Sequence, residues 1–250
     1  MASEPVRIAM WSGPRNISTA MMRSFGSRPD TVVIDEPFYA IYLLATGIDH
    51  PMREESIASQ SHDWREVVKN LLGDLPEGKT IYYQKHITHH MVPEIGMDWI
   101  KRCRNVFLIR HPKKVIASYI KKRKNVTLDD IGLQRQWEIF QQVSDFFGEA
   151  PPVIDSDDIL ANPESSLSVL CRAIDIPFTK SMLSWPAGKR DTDGVWAPVW
   201  YDNVEKSTGF GLPNSGVTAE LPSEVDDLAD KAAHLYDLLA KCKLTTVHKN

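Results

Sequence analysis

Val6-Arg7-Ile8-Ala9-Met10-Trp11 leads through Ser12-Gly13-Pro14-Arg15-Asn16-Ile17-Ser18-Thr19 into Ala20-Met21-Met22-Arg23-Ser24-Phe25-Gly26. The first stretch is a short apolar run. After it, Ile17, Ala20, Met21 and Phe25 fall on one helical face that stops at Gly26, so the order is strand, tight loop, helix. The unpaired N–H groups of such a helix start carry partial positive charge and suit an anion. Arg15 adds a planar cation, and Ser18 and Thr19 add hydroxyls in the first turn. The plainer alternative is a structural turn with a surface arginine.

Further apolar runs follow at Thr31 to Ile34, Thr80 to Tyr83, Asn105 to Ile109 and Pro152 to Ile154. Most are continuously apolar, the pattern of strands buried on both faces. Helical stripes lie between them at Trp64 to Leu72, Pro112 to Ile120 and Leu133 to Phe147, then from Pro163 to Ala173 and from Ser223 to Leu239. The expected fold is α/β in three layers, a central parallel sheet flanked by helices, in one domain over residues 1–250. Residues 185–222, rich in Trp, Tyr, Gly and Pro, are expected to form a loop-rich lid or acceptor segment.

A second informative segment is Arg110-His111-Pro112-Lys113-Lys114-Val115-Ile116-Ala117-Ser118-Tyr119. Arg110 ends a buried strand and Ser118 lies two helical turns further, so both reach the crevice at the carboxyl edge of the sheet. An arginine and a hydroxyl there suit a second phosphate. The nucleotide-triphosphatase pattern G-x-x-x-x-G-K-[ST] is not met, because neither its second glycine nor its lysine follows Gly13.

In this order, each after a strand, the two segments resemble the 5′-phosphosulfate loop and the 3′-phosphate motif of sulfotransferases that use 3′-phosphoadenosine 5′-phosphosulfate (PAPS). Pro14 to Thr19, with Met22-Arg23, is similar to the loop of tyrosylprotein sulfotransferases, where the usual lysine is also an arginine. Ile154 to Phe178 resembles the strand, acidic turn and capped helix found late in the same family. The resemblance implies a P-loop-like sulfotransferase architecture, PAPS as co-substrate and adenosine 3′,5′-bisphosphate as product. Arg15, Asn16, Ile17, Ser18 and Thr19 would hold the 5′ side, and Arg110 and Ser118 the 3′-phosphate. Gly188-Lys189-Arg190 and Lys206 to Gly211 are the candidates for completing the 3′ site.

For the base, His86 in Gln84-Lys85-His86 follows the third apolar run, where cytosolic members carry their catalytic histidine, and is preferred. Glu36 in Asp35-Glu36-Pro37-Phe38 is the rival, similar in position to the catalytic glutamate of the tyrosylprotein enzymes. His86 and His90 share an i, i+4 spacing, but no H-E-x-x-H accompanies them and no metal is expected.

Over the 250 residues the net charge is −4 and the cysteines number three, with no Cys-x-x-Cys. That balance opposes nucleic acid as a partner and leaves no material for a disulfide framework, so a reducing cytoplasm fits. No apolar run is long enough for a membrane span and no leader is expected. Lys121-Lys122-Arg123-Lys124 reads as a solvated helix end. The resulting expectation is transfer of a sulfuryl group from PAPS to a hydroxyl, or an amine, of a small molecule. The alternatives are a nucleotide-binding protein of this fold without turnover and an ATP-dependent kinase. The oligomeric state is not legible in the sequence.

Overall fold

A computed structural model describes residues 4–120, 126–211 and 221–245. The basic run Lys121 to Lys124 and part of the lid segment, 212–220, lie outside the described residues.

Five strands form one parallel sheet: β1 (Val6–Ser12), β2 (Thr31–Asp35), β3 (Ile81–Ile87), β4 (Arg104–Ile109) and β5 (Val153–Asp155). Their order across the sheet is β2-β3-β1-β4-β5. The chain therefore leaves β1 toward one edge and leaves β4 toward the other. The carboxyl ends of β1 and β4, which pair from Ile8↔Arg104 to Ser12↔Leu108, bound the crevice where open α/β sheets bind ligands.

The helices are α1 (Ser18–Gly26), α2 (Tyr39–Thr46), α3 (Arg53–Ala58), α4 (Trp64–Leu71), α5 (Pro112–Tyr119), α6 (Leu128–Ile131), α7 (Leu133–Phe147), α8 (Ser156–Ala161), α9 (Pro163–Ala173), α10 (Ala197–Trp200), α11 (Asp202–Glu205) and α12 (Asp226–Ala240). Side chains alternate across each strand and build two cores. Ile8, Met10, Val106, Leu108 and Ile154 meet Met21, Met22 and Phe25 of α1 and Leu167 and Leu170 of α9. Ala9, Trp11, Phe107, Ile109 and Val153 meet α2, α4, α5, α7 and α12. The flanked parallel sheet expected from the sequence is the one observed. Among the described residues no helix is long and apolar enough to cross a membrane.

One strand differs from its reading. β3 continues past Tyr83 to Ile87, pairing with β1 along its whole length from Val6↔Ile81 to Ser12↔Ile87. Ladder bonds do not depend on side-chain polarity, and the polar residues are accommodated one by one. Gln84 Nε2, for example, donates to the Leu71 carbonyl at 3.0 Å. The consequence for His86 is large, because it becomes an interior strand residue rather than a loop residue.

The turn after β1 is closed by α6. A β-carbon added at Gly13 would press into the Ile131 carbonyl oxygen. Glycine is required there for close backbone approach. Gly13→Ala is expected to destabilise the fold by about 1–3 kcal/mol, the range for forced overpacking. Urea unfolding measures it, and an unchanged midpoint would mean that α6 does not press on this turn.

Candidate functional site

A cleft of about 720 Å³ opens at the carboxyl edge of the sheet. Every strand contributes to its lining at or just beyond its end: Pro14 to Ala20 after β1, Glu36 after β2, Lys85 in β3, Arg110 after β4 and Asp157 after β5.

The loop after β1 is held in a high-energy backbone shape. Arg15 (φ 61°) and Ile17 (φ 49°) are left-handed, as is Glu36 (φ 43°) across the cleft. Such conformations in non-glycine residues cost of order 1–3 kcal/mol each and persist only where neighbours enforce them. Here the Asn16 side-chain amide donates to the Leu108 carbonyl at 2.8 Å. Gln136 of α7 donates to the same carbonyl at 2.9 Å and to that of Trp11 at 3.1 Å. The turn thereby delivers α1 to the cleft with no side-chain cap on its first-turn N–H groups.

The two arginines meet at this turn. Arg110 Nη1 donates to the Arg15 carbonyl at 2.6 Å, and Arg15 Nε donates to Ser118 Oγ at 3.0 Å. The segments read from the sequence as two phosphate cradles thus form one continuous cationic wall. Arg110 Nε is buried without a hydrogen-bond partner. Burial pulls both guanidiniums below their usual range; at Arg110 the neighbouring Asp157 opposes this and Arg15 adds to it. Two partly desolvated like charges on one wall favour an anion between them.

Opposite lies a buried polar cluster. Lys85 Nζ donates to Asp35 Oδ1 at 2.8 Å, Glu36 Oε1 at 2.7 Å and Tyr201 Oη at 2.6 Å. Burial alone would lower the Lys85 ammonium, but Asp35, Glu36 and Tyr201 outweigh it and hold the group well above its ordinary value. Burial raises the Glu36 carboxyl, with Lys85 working against the shift and Asp35 with it. Glu36 Oε2 lies 3.8 Å from His90 Nδ1. His90 itself stacks on Tyr39 and Tyr42, at 4.6 Å and 4.8 Å between ring centres.

Residues 185–211 provide the third side. Trp196, Trp200, Tyr201, Ser207, Gly209 and Phe210 line the cleft. Trp196 and Tyr201 are themselves buried, so this part of the expected lid is an aromatic wall packed into the molecule. A buried ion pair, Arg23 Nη2 to Asp193 Oδ2 at 2.7 Å, ties it to α1.

Arg15, Asn16, Ile17, Ser18, Thr19, Arg110, Ser118 and Glu36 are all brought to this one cleft. Asn16 turns inward to hold the loop together. His86 is not among the lining residues. It is buried on the helical face of β3, stacked on Trp11 at 4.6 Å and flanked by Phe38 and Trp99, with Nε2 beside Gln84 Oε1 at 3.2 Å. The expected place of His86 beyond the strand end is therefore corrected. The extended β3 carries it away from the cleft, and burial takes its pKa down to about 3. His86 and His90 are also not a helical pair, since one lies in β3 and the other in the 3₁₀ turn Thr88–His90. Among the described residues no group of three or more His, Cys, Asp or Glu is arranged to hold a metal ion.

Of the two candidates for completing the 3′ site, Ser207, Gly209, Phe210 and Gly211 reach the cleft while Gly188, Lys189 and Arg190 do not. Arg190 spends its guanidinium on the carbonyls of Pro186, Gly188 and Lys189. Lys85, Asp35, His90 and Tyr201 received no role from the sequence. A lysine just after the apolar run Ile81 to Tyr83 was the available signal; in the sheet it pairs directly with Asp35.

Comparison with known proteins agrees with this fold. The family profile described as "Sulfotransferase domain" matches residues 6–242. Two relatives from Arabidopsis thaliana, "Branched-chain-amino-acid aminotransferase-like protein 1" and "protein 2", are 37% and 34% identical over 95% and 93% of this chain. The match takes in 42% and 41% of their lengths, so the chain spans about two fifths of these curated relatives. Among solved structures, the sulfotransferase domain of the Synechococcus PCC 7002 olefin synthase superposes with a TM-score of 0.60 at 16% identity, covering 94% of this chain and 96% of that one. The sulfotransferase domain of the curacin biosynthetic pathway gives 0.55 at 17% identity, covering 93% and 98%. At these identities the structures establish the fold.

The burial of His86 has a measurable consequence. Its folded-state pKa, about 3, lies below the ordinary 6.5, so between these values the unfolded chain binds a proton that the folded chain does not. Stability from this group is fully present above pH 6.5 and is lost as pH falls through that value toward 3, by up to about 1.4 kcal/mol per pH unit. Urea unfolding at about pH 7 and about pH 5 is expected to show a shallower acid loss in His86→Gln than in the parent. Equal losses would contradict the burial.

Proposed function

The chain belongs to the sulfotransferase domain family, and from that premise we propose that it moves a sulfuryl group from PAPS to a hydroxyl, or an amine, of a small-molecule acceptor. The observation that carries the reading is the single cationic wall made by Arg110, Arg15 and Ser118 beside the uncapped start of α1. The cleft volume of about 720 Å³ falls in the range of roughly 300–1,000 Å³ typical of small-molecule sites. The buried Arg110 Nε has no hydrogen-bond partner, and a phosphate oxygen would supply one.

When bound, the donor supplies a sulfuryl group carried on a phosphate leaving group. The first-turn N–H groups of α1, with Ser18 and Thr19, would hold that phosphate, and Arg15 would stabilise the charge it gains on departure. Arg110, Ser118 and the 207–211 segment would hold the 3′-phosphate.

Glu36 is the proposed base in place of His86. Its carboxylate lines the cleft and accepts from Lys85 Nζ, and in its ionised form it can accept the acceptor's proton as the oxygen–sulfur bond forms. Burial raises the proton affinity of Glu36, and Lys85 opposes that shift. The aromatic wall excludes water from the acceptor end. The aminotransferase in the relatives' names is not carried over, because the matched stretch is about two fifths of them and falls in the sulfotransferase family.

Calorimetry with adenosine 3′,5′-bisphosphate and with ATP separates this reading from a kinase, and tight binding of ATP alone would overturn it. Arg15→Ala is expected to lower turnover by about 10²–10³-fold, as for loss of one transition-state donor. Glu36→Gln is expected to fall comparably or further. Steady-state rates on an acceptor found by its mass gain of one SO₃ decide both, and unchanged rates would remove the assigned roles.

A further inference from the structure

Asp35 and Glu36 are consecutive carboxylates at the end of β2 that share one buried ammonium. Asp35 divides its two oxygens between different parts of the molecule. Oδ1 accepts from Lys85 Nζ at 2.8 Å. Oδ2 accepts from the Tyr201 hydroxyl at 2.6 Å and from the Gly194 backbone at 3.0 Å, both in the aromatic wall. Trp196 Nε1 adds a bond to Tyr201 Oη at 3.2 Å, and the Trp196 ring occupies the space a side chain at Gly194 would need. The side chain of Asp35 is nearly inaccessible to solvent, so these partners are what its charge has in place of water.

We infer that Asp35 is a positioning residue that couples the aromatic wall to the charge state of Glu36, holding Lys85 with one oxygen and the wall with the other. This rests on the assignment of Glu36 as base. The cluster carries two carboxylates and one ammonium, so the carboxylates compete for Lys85. Donors from the wall satisfy part of the Asp35 charge and leave more of the ammonium to Glu36. With those donors withdrawn, Asp35 takes a larger share of Lys85, and Glu36 binds a proton from water and can no longer accept one from a hydroxyl.

The groups facing Glu36 come from each element around it: Asp35 from β2, Lys85 from β3, His90 from the turn after β3 and Tyr201 from the wall. Tyr83 on β3 faces Lys85 and Asp35, and His50 and His89 face His90. Of these, Asp35 is the like charge beside Glu36, and it pushes the Glu36 carboxyl upward.

The test is a titration of Glu36 in the full chain by NMR of glutamate labelled with carbon-13 at Cδ, with Glu36→Gln identifying the signal. In Asp35→Asn the midpoint is expected to fall by about one pH unit as the like charge is removed. In Tyr201→Phe, which removes both the donor to Asp35 Oδ2 and an acceptor of Lys85, it is expected to rise, because the freed Lys85 proton goes to the carboxylate that has lost its donor. A structural role alone would cost stability and leave both midpoints in place. Midpoints within roughly a few tenths of a unit of the parent would overturn the inference, and a fall in Asp35→Asn without a rise in Tyr201→Phe would overturn the link to the wall. Should Asp35→Asn fail to fold, Tyr201→Phe decides alone. Turnover by Glu36→Gln is measured in parallel. If it persists, the assignment of the base fails, whereas unmoved midpoints with turnover abolished reject the coupling and leave the base intact.

Discussion

The Leu108 carbonyl, at the seam between β1 and β4, accepts side-chain amides from both Asn16 and Gln136. These bonds are made in the interior, where an unpaired carbonyl or amide would be costly. They fix the turn after β1 in a shape that Arg15 and Ile17 would not adopt freely. The start of α1, the reach of Arg15 to Ser118 and the bond from Arg110 to the Arg15 carbonyl all follow from that fixed turn. Backbone strain, two desolvated guanidiniums and an uncapped helix start thus lie at one place, a combination stable only where surrounding structure enforces it.

Facing this cationic wall is a cluster of opposite design. Lys85 is surrounded by acceptors, and its three protons are committed to Asp35, Glu36 and Tyr201. One side of the cleft is thereby suited to anions, and the other holds a carboxylate whose charge depends on buried partners. Departure of an anion and uptake of a proton are the two charge movements of sulfuryl transfer, and in the proposed reading each has its own side of the cleft. The aromatic wall closes the third side and is pinned by Asp35 and by the Arg23–Asp193 pair.

Much of this was legible in the sequence because it rests on local pattern. Apolar runs, most of them continuous, marked all five strands, and Ser12 to Thr19 and Arg110 to Ser118 announced donors at strand ends. The place of His86 was misjudged for a reason of register. Gln84, Lys85 and His86 interrupt the apolar run, so the strand was read as ending at Tyr83, although the ladder with β1 carries on to Ile87. Strand parity then puts His86 against Trp11, on the face of the sheet where Trp11 packs. The cluster of Asp35, Lys85 and Tyr201 joins residues up to 166 positions apart, and no local spacing could reveal it. Helices α2 and α3 were missed as well, because α2 is apolar with little periodic contrast and α3 is only six residues long.

The most direct measurement is a crystal structure of the chain bound to adenosine 3′,5′-bisphosphate. The expected result is a nucleotide in the cleft between β1 and β4, its phosphates contacted by the Arg15 and Arg110 guanidiniums and by the first turn of α1. A nucleotide bound elsewhere, or both guanidiniums turned away from its phosphates, would contradict the account.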